Sequence, residues 1–321
     1  MSVLVLSEHD VRELLDMDSC IAAMEDVLAR LARDELHNPL RFVMRPQGPA
    51  LMGLMPAYRG GETPSFVLKE IVIAPENSTR GLDPHQGAVL LHDGVTGQLI
   101  AILNASPITE IRTAAVSGAA TKALARKDAR TVAILGSGVQ GRSHVDAMQT
   151  VLDDPIIRIW SRNLAHAEAL ALETHSVVAS SIEEALDGAD IVCTATAARE
   201  PIVELGWLAP GTHINAAGSS IKTTRELTSE TVAAATLFVD RRESTLNESG
   251  DYLFAVEELG IGPDHIVAEL GEVLAGAHPG RRADDELTLF KSLGVAVEDL
   301  AAAELCVARA RERRVGTEVT F

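Results

Sequence analysis

A short stretch near the middle of the chain constrains the fold more than any other. Residues 131–135 form an apolar, β-branched run with the length of a buried parallel strand. The run leads directly into Gly136-Ser-Gly138-Val-Gln140-Gly141, where Val139, Ser143, Met148 and Val151 recur at helical spacing. A strand, a glycine turn and a helix start in that order form a cradle for a dinucleotide pyrophosphate. Gly136 makes the tight turn, Gly138 lets the backbone approach the phosphates, and Gly141 lets helix pack on strand. The free N–H groups and positive end of the helix then face the anion. Glycines at this spacing also make plain turns with no ligand; the strand before and the helix after favour the dinucleotide.

At 321 residues the chain is long for one core, which implies two domains. From Arg130 onward strand and helix alternate, with candidate strands at 131–135, 156–160, 176–178, 191–194, 212–216 and 236–240. That alternation predicts an α/β fold with a doubly wound, Rossmann-type parallel sheet. Ahead of it, candidate strands at 51–56, 66–73, 87–92 and 98–104 follow one another between Gly, Pro and Asn. The first ~105 residues therefore read as an α+β unit with an antiparallel or mixed sheet. Ser7 and Asp10 resemble a helix cap, and 18–36 carries Ile21, Met24, Leu28 and Leu31 at helical spacing. The alanine-rich 107–124 is helical. So is the tail 293–313, with Val297, Leu300, Leu305 and Ala308 on its apolar side, and it is expected to return to the first domain.

The formal net charge is −18, with no basic block. Nucleic acid and anionic membrane both reward clustered Lys and Arg, so neither is expected as a partner. Cys20, Cys193 and Cys306 are far apart and odd in number, without disulfide or metal spacing. The histidines are scattered without paired ligand spacing, so no metal is expected. The N-terminus turns to charge after four apolar residues, with no signal peptide. No run approaches the ~18 apolar residues of a membrane span. A cytoplasmic protein is expected.

Some charges stand where charge is expensive. In 66–73, side-chain alternation puts Lys69 on one face with Val67, Ile71 and Ile73. An ammonium there lies at a strand end, reaches out to water, or occupies a pocket. On the helix after Pro107, Arg112 shares the stripe of Ile108, Ala115, Val116 and Ala119, for a structural salt bridge or a pocket. Arg41 follows a proline turn, where a surface arginine would be ordinary. Three such cations beside a nicotinamide would suit a substrate carboxylate, because Arg forms paired bonds to carboxylates.

The second strand of the alternating region ends in Ser161, Arg162 and Asn163. An acidic residue there would hold the ribose 2′-hydroxyl of NAD and repel a 2′-phosphate. A cation and hydrogen-bond donors instead favour NADP(H). If Arg162 only stacks on adenine or faces solvent, NAD(H) is accepted as well.

Ordered matches over nearly the full length then give a family. They are Leu54-Met-Pro-Ala-Tyr58, Leu68-Lys69, Pro84-His-Gln86, Ile108-Thr-Glu-Ile-Arg112-Thr-Ala-Ala115, Gly136-Ser-Gly-Val-Gln140 and His213-Ile-Asn-Ala-Ala-Gly218. Further along come Arg225-Glu-Leu227, Ala268-Glu-Leu-Gly-Glu-Val273 and Thr288-Leu-Phe-Lys-Ser-Leu-Gly294 with Glu298-Asp299. The chain resembles the ornithine cyclodeaminase and mu-crystallin family. The resemblance implies a homodimer. It also implies a substrate-binding and dimerisation domain from residues 1–113 with 293–321, and a NAD(P)-binding domain from 114–292. By position, Arg41, Lys69, Arg112 and Leu293 would bind substrate, with Lys69 and Arg112 catalytic. Cofactor contacts would come from Arg112, Thr113, Gly136, Gly138, Val139, Gln140, Ser161, Arg162, Asn163, Thr194, Ala195, Thr196, Ala217, Gly218, Ser220 and Ser292.

One departure bears on the reaction. Cyclodeaminases of the family carry an aspartate where this chain has Ser220, and a serine hydroxyl cannot do a carboxylate's acid–base work near neutrality. Ketimine-reductase members also lack an acid there. The proline common after it is absent too, with Lys222-Thr223-Thr224 instead. The expected activity is reduction of a small α-imino acid, a cyclic ketimine such as Δ1-pyrroline-2-carboxylate or Δ1-piperideine-2-carboxylate. Alternatives are an acyclic imino acid (an amino-acid dehydrogenase), ornithine cyclodeamination, and a non-catalytic small-molecule binder of the mu-crystallin type. Met44, Leu54, His85 and Leu293 as pocket lining fit many acids.

Overall fold

The computed structural model describes residues 2–83 and 85–320; Met1, Pro84 (of the Pro84-His-Gln86 match) and Phe321 lie outside the described residues, as does the side chain of Ser78. The chain divides into two compact units, Met1–Arg112 with Val295–Phe321, and Thr113–Gly294.

The first unit is built on a mixed sheet in the order Thr317–Thr320, Ser2–Leu6, Leu99–Asn104, His85–Asp93, Ser65–Ile73, Leu51–Arg59, Leu36–His37, with Phe42–Met44 also on Leu51–Arg59. Ser2–Leu6 and Leu99–Asn104 run parallel; the other pairs are antiparallel. Ser2–Leu6 and Thr317–Thr320 were not among the expected strands. Their pairing joins opposite ends of the chain, which no local pattern displays. Alternation buries Met55, Ala57, Val67, Lys69, Ile71, Val89, Leu91, Ala101 and Leu103 on one face. Helices Glu8–Leu14 and Ala296–Arg313 pack against this sheet, and Met17–Ala32 packs on the latter.

The Ser7–Asp10 cap forms in both directions, Ser7 N–H donating to the Asp10 carboxylate and Asp10 N–H to the Ser7 hydroxyl. The helix expected over 18–36 is Met17–Ala32, capped by Asp16. It stops early because Asp34 takes a left-handed φ of 59° and sends Leu36–His37 into the sheet.

The second unit is an eight-stranded, wholly parallel sheet. Its order is Val177–Val178, Ile156–Trp160, Thr131–Leu135, Ile191–Thr194, His213–Ala216, Thr288–Lys291, Thr236–Val239, Ile266–Glu269. The first of this unit's strands in chain order, Thr131–Leu135, lies between its second and its fourth. The direction of winding therefore reverses there, the place where doubly wound sheets bind nucleotides beyond the carboxyl ends of the strands. The expected strands all form, with small shifts of their ends. Ile266–Glu269 and Thr288–Lys291 were not anticipated: both are four-residue runs ending in a charge. Among the described residues no helix is long and apolar enough to cross a membrane.

Candidate active site

In the first unit the sheet and the C-terminal helix bring buried charges together. Lys69 is the middle residue of Ser65–Ile73, between Met55 and Val89 in register, so it is neither at a strand end nor reaching to water. It is 2% exposed, and its ammonium donates to Asp299 Oδ1 at 2.9 Å, with Thr109 Oγ1 at 3.4 Å. Arg112, on helix Ala105–Leu124, is 4% exposed and turns Nε to the same Asp299 Oδ1 at 3.2 Å and Nη1 to Glu298 Oε2. Asp299 and Glu298 stand in the first turn of Ala296–Arg313, where the helix dipole favours carboxylates. That helix start has no side-chain cap of its own; Asn38 Oδ1 accepts the Val297 N–H at 3.0 Å instead. Arg41, half-buried, follows Asn38 on the same segment. The described contacts thus join Lys69 to Arg112 through one carboxylate, and Asn38 ties the Arg41 segment to the helix that supplies it.

Burial lowers the Lys69 pKa to about 8; Asp299 opposes the fall and Arg112 adds to it. A lysine with its pKa in that range can serve as both proton donor and proton acceptor. His85, an expected pocket residue, is lowered by burial and then raised by Asp83, with the Lys69 charge lowering it further. Lys69 and His85 are thus within electrostatic reach of each other. Met44 is largely exposed and Leu54 half-buried.

In the second unit the glycine turn has the geometry of a cradle. Gly136 takes φ +122°, and a side chain there would run into the carbonyl of Ala195. A side chain at Gly141 would run into the carbonyl of Gly136, whereas Gly138 faces open space. Gly138 begins helix Val139–Val151 with no side-chain cap, so the positive end of that helix sits at the glycine turn. Gly136 N–H bonds Trp160 O at 2.8 Å, setting the turn beside Ser161 and Arg162. His144 Nδ1–H donates to Gln140 O at 2.7 Å, while Nε2 meets Ser117 Oγ at 2.9 Å. Burial pushes its pKa down to about 4, so it holds that first turn as a neutral ring. The residues present fit a dinucleotide.

Arg162 is exposed at the end of the second strand. Asn163 is the cap of helix Leu164–Thr174, its Oδ1 accepting the Ala165 N–H at 3.1 Å and its Nδ2 lying 3.3 Å from His166 Nε2. Thr194, Ala195 and Thr196 end the fourth strand and Ala217 to Ser220 follow the fifth, with Ser220 half-buried. Ser292 is buried, its N–H on Ala216 O at 3.1 Å; Leu293 is buried too and, with Gly294, donates its N–H to Asp240 Oδ2. Thr113, the first residue of this unit, is half-buried on helix Ala105–Leu124.

Sequence reading gave no role to Glu226, Asp240, Asp251, Lys291, Glu298 or Asp299, though all are buried and hold the clusters above or the loops beside them. The available signal was charge inside or at the end of apolar runs, as Asp240 after residues 236–239 and Lys291 after 288–290.

The family model for the ornithine cyclodeaminase/mu-crystallin family matches residues 1–314. The ketimine reductase mu-crystallin of Mus musculus is 39% identical over 307 residues, covering 94% of this chain and 95% of the relative. The structure of Thermococcus litoralis Δ1-pyrroline-2-carboxylate reductase in complex with NADH and L-proline superimposes with a TM-score of 0.94 at 37% identity, over 99% of this chain and all of that one. An archaeal alanine dehydrogenase dimer with bound NAD gives a TM-score of 0.95 at 29% identity, each chain covered in full.

Proposed function

Because the chain belongs to the ornithine cyclodeaminase/mu-crystallin family, we propose that it is a NAD(P)H-dependent reductase of a small α-imino acid, with a cyclic ketimine such as Δ1-pyrroline-2-carboxylate or Δ1-piperideine-2-carboxylate as substrate. The observation that carries this reading is the buried Lys69–Asp299–Arg112 arrangement, an ammonium and a guanidinium held side by side in an apolar interior. The similarity to ketimine and pyrroline-2-carboxylate reductases supports the class of bond reduced. The bound nicotinamide would supply the hydride that goes to the imine carbon.

The chain's own residues do the rest. Arg41 and Arg112 hold the substrate carboxylate by paired bonds. Lys69 meets the imine nitrogen as an ammonium and gives it the proton that balances the hydride, so that C=N becomes CH–NH. Asp299 keeps Lys69 and Arg112 together while the substrate is exchanged. On the cofactor side, the glycine turn at Gly136–Gly138 and the helix start at Val139 and Gln140 would hold the pyrophosphate, beside Thr194–Thr196, Ala217, Gly218 and Ser292. With Arg162 exposed and no acidic residue beside it, NADP(H) is favoured and NAD(H) accepted. Relatives with NADH or NAD bound support the second half of that statement.

An acyclic imino acid is the second reading, supported by the likeness to an alanine dehydrogenase. Cyclodeamination is disfavoured by Ser220. The purified protein should consume NADPH or NADH when offered one of the cyclic ketimines, followed as loss of the reduced-nicotinamide absorbance. Turnover confined to pyruvate or oxaloacetate with ammonia would replace the cyclic substrate by an acyclic one. Failure with every imino acid under both cofactors would remove the reductase reading. The protein is further proposed to be a homodimer through the sheet face of the first unit that bears the exposed Phe42, Met44 and Phe66; a monomer by light scattering would refute it.

A further inference from the structure

Behind the cofactor loops of the second unit lies a carboxylate to which sequence reading gave no role. Glu226 is completely buried, and its side chain receives four hydrogen bonds. Oε1 takes Thr196 N–H at 2.8 Å and Thr196 Oγ1 at 2.6 Å. Oε2 takes Thr194 Oγ1 at 2.6 Å and Gly218 N–H at 2.9 Å. The N–H groups can only donate. The Thr196 hydroxyl, whose oxygen accepts the Ala198 N–H at 3.1 Å, has its own proton to give to Glu226. An ionised carboxylate has acceptor sites for all four and no donor of its own. An amide would set its NH2 against one of the two backbone N–H groups, since each Glu226 oxygen holds one; a protonated acid would be a weaker acceptor and would have to turn a threonine hydroxyl around. A side chain at position 218 would meet Glu226 Oε1 and the Thr196 backbone, so glycine there is what lets the carboxylate reach both loops.

The carboxylate is itself anchored. Glu226 N–H and Leu227 N–H donate to Asp251 Oδ1 at 2.8 and 3.0 Å. Asp251 Oδ2 pairs with Lys291 Nζ at 2.9 Å, and Lys291 also donates to Ser219 O. The chain of contacts closes on itself, since Ser219 follows Gly218. It ties together the ends of Ile191–Thr194, His213–Ala216 and Thr288–Lys291 with the first turn of helix Gly250–Leu259. Of these ends, Thr194–Thr196 lies next to the point where winding reverses and Ala217–Ser219 follows on the adjoining strand, and Ala195 is the residue the Gly136 turn packs against.

We propose that Glu226 is the positioning residue of the dinucleotide cradle, an acceptor-only clamp that holds the Thr194–Thr196 and Ala217–Ser219 segments in the shape that receives the cofactor. The role rests on the reductase reading above, because it presumes that a dinucleotide binds there. Glu226 need not touch the cofactor; it acts through the backbone and hydroxyl groups it holds. The charged groups that face it are Lys291, from the neighbouring strand, and Asp251, from helix Gly250–Leu259. Burial raises its pKa; Lys291 and the two threonine hydroxyls oppose the rise, and Asp251 adds to it. The clamp therefore weakens in acid, beginning at a pH above that of an ordinary glutamate.

The test is binding of NAD+ alone, by titration calorimetry over a pH series, with the melting temperature followed alongside. Glu226→Gln should bind NAD+ about tenfold or more weakly near neutral pH, the scale of losing a bond to a charged acceptor. The gap between wild type and variant should narrow as pH falls, because the wild-type carboxylate then takes up the proton that the amide mimics. Thr196→Val, which keeps Glu226 and removes one donor, should weaken binding by a smaller factor and serves where Glu226→Gln does not fold. A folded Glu226→Gln that binds like wild type, a gap independent of pH, or a Thr196→Val indistinguishable from wild type would each overturn the role. Wild-type protein that binds no nicotinamide dinucleotide would overturn the reductase reading, and this role with it.

Discussion

The two units each bury a lysine against an aspartate, and the pairs look alike at first. Lys69 is 2% exposed and Lys291 1%. Each ammonium lies 2.9 Å from a carboxylate oxygen in the first turn of a helix, Asp299 on Ala296–Arg313 and Asp251 on Gly250–Leu259. They differ in what else the carboxylate does. Asp251 turns its other oxygen to two backbone N–H groups, and Lys291 closes the loop on the carbonyl of Ser219. Every partner there is part of the fold. Asp299 instead gives the same oxygen to Lys69 and to Arg112, and Arg112 also reaches Glu298. The proposed substrate carboxylate would meet both cations there, whereas one arriving at Lys291 would have nothing to displace except structure. Burial of a lysine therefore does not by itself single out the proposed substrate site; what sets Lys69 apart is that its counter-ion is shared with a second cation.

The largest effect expected from this contrast is on turnover. Lys69→Met should lower kcat/KM for the imino acid by roughly 10²- to 10⁴-fold, the usual contribution of a positioned proton donor. NAD+ binding should stay within a few-fold of wild type, because the substitution lies in the first unit. Steady-state rates and a calorimetric titration on the same preparation check both halves. A variant that retained turnover would make Lys69 as structural as Lys291.

These two lysines also show what the sequence could disclose. Lys69 and Arg112 were legible because each sits in a long regular element, where alternation or helical spacing exposes a charge on the wrong face. Lys291 ends a four-residue strand between elements far away in sequence, so no period was long enough to show that it points inward. Glu226 and Asp251 lie in a turn and at a helix start, where an acidic residue is ordinary. The parallel sheet was readable from the alternation of strand and helix. The strands at the two chain ends were not, because Ser2–Leu6 exists only through partners about a hundred and about three hundred residues away. Local patterns report faces; they do not report which distant carboxylate two cations share.

Next in size is stability. Lys291→Met leaves Asp251 buried without its cation, and breaking a buried pair in this way costs roughly 3–5 kcal/mol. Chemical denaturation should show that loss as an earlier midpoint. Adding Asp251→Asn should recover part of it, since no uncompensated charge then remains, although the amide still accepts only part of what the carboxylate did. If Lys291→Met were as stable as wild type but inactive, the contrast between the two lysines would be reversed.

The smallest effect separates the lysines by pH alone. With the Lys69 pKa near 8, kcat/KM should fall as pH rises through that value, about tenfold per unit beyond it, as the free enzyme loses its proton donor. Lys69→Arg should lack this limb, because a guanidinium stays charged throughout. A limb that persists in Lys69→Arg belongs to the substrate or to another group. Stability should move the other way. The unfolded chain keeps this proton to about 10.5, whereas the folded chain releases it near 8. Between those values the unfolded state binds more protons, so this group's contribution makes the fold more stable with rising pH. Activity that declines while the contribution of Lys69 to stability increases is the signature of an ammonium kept in the interior against its own preference, for use.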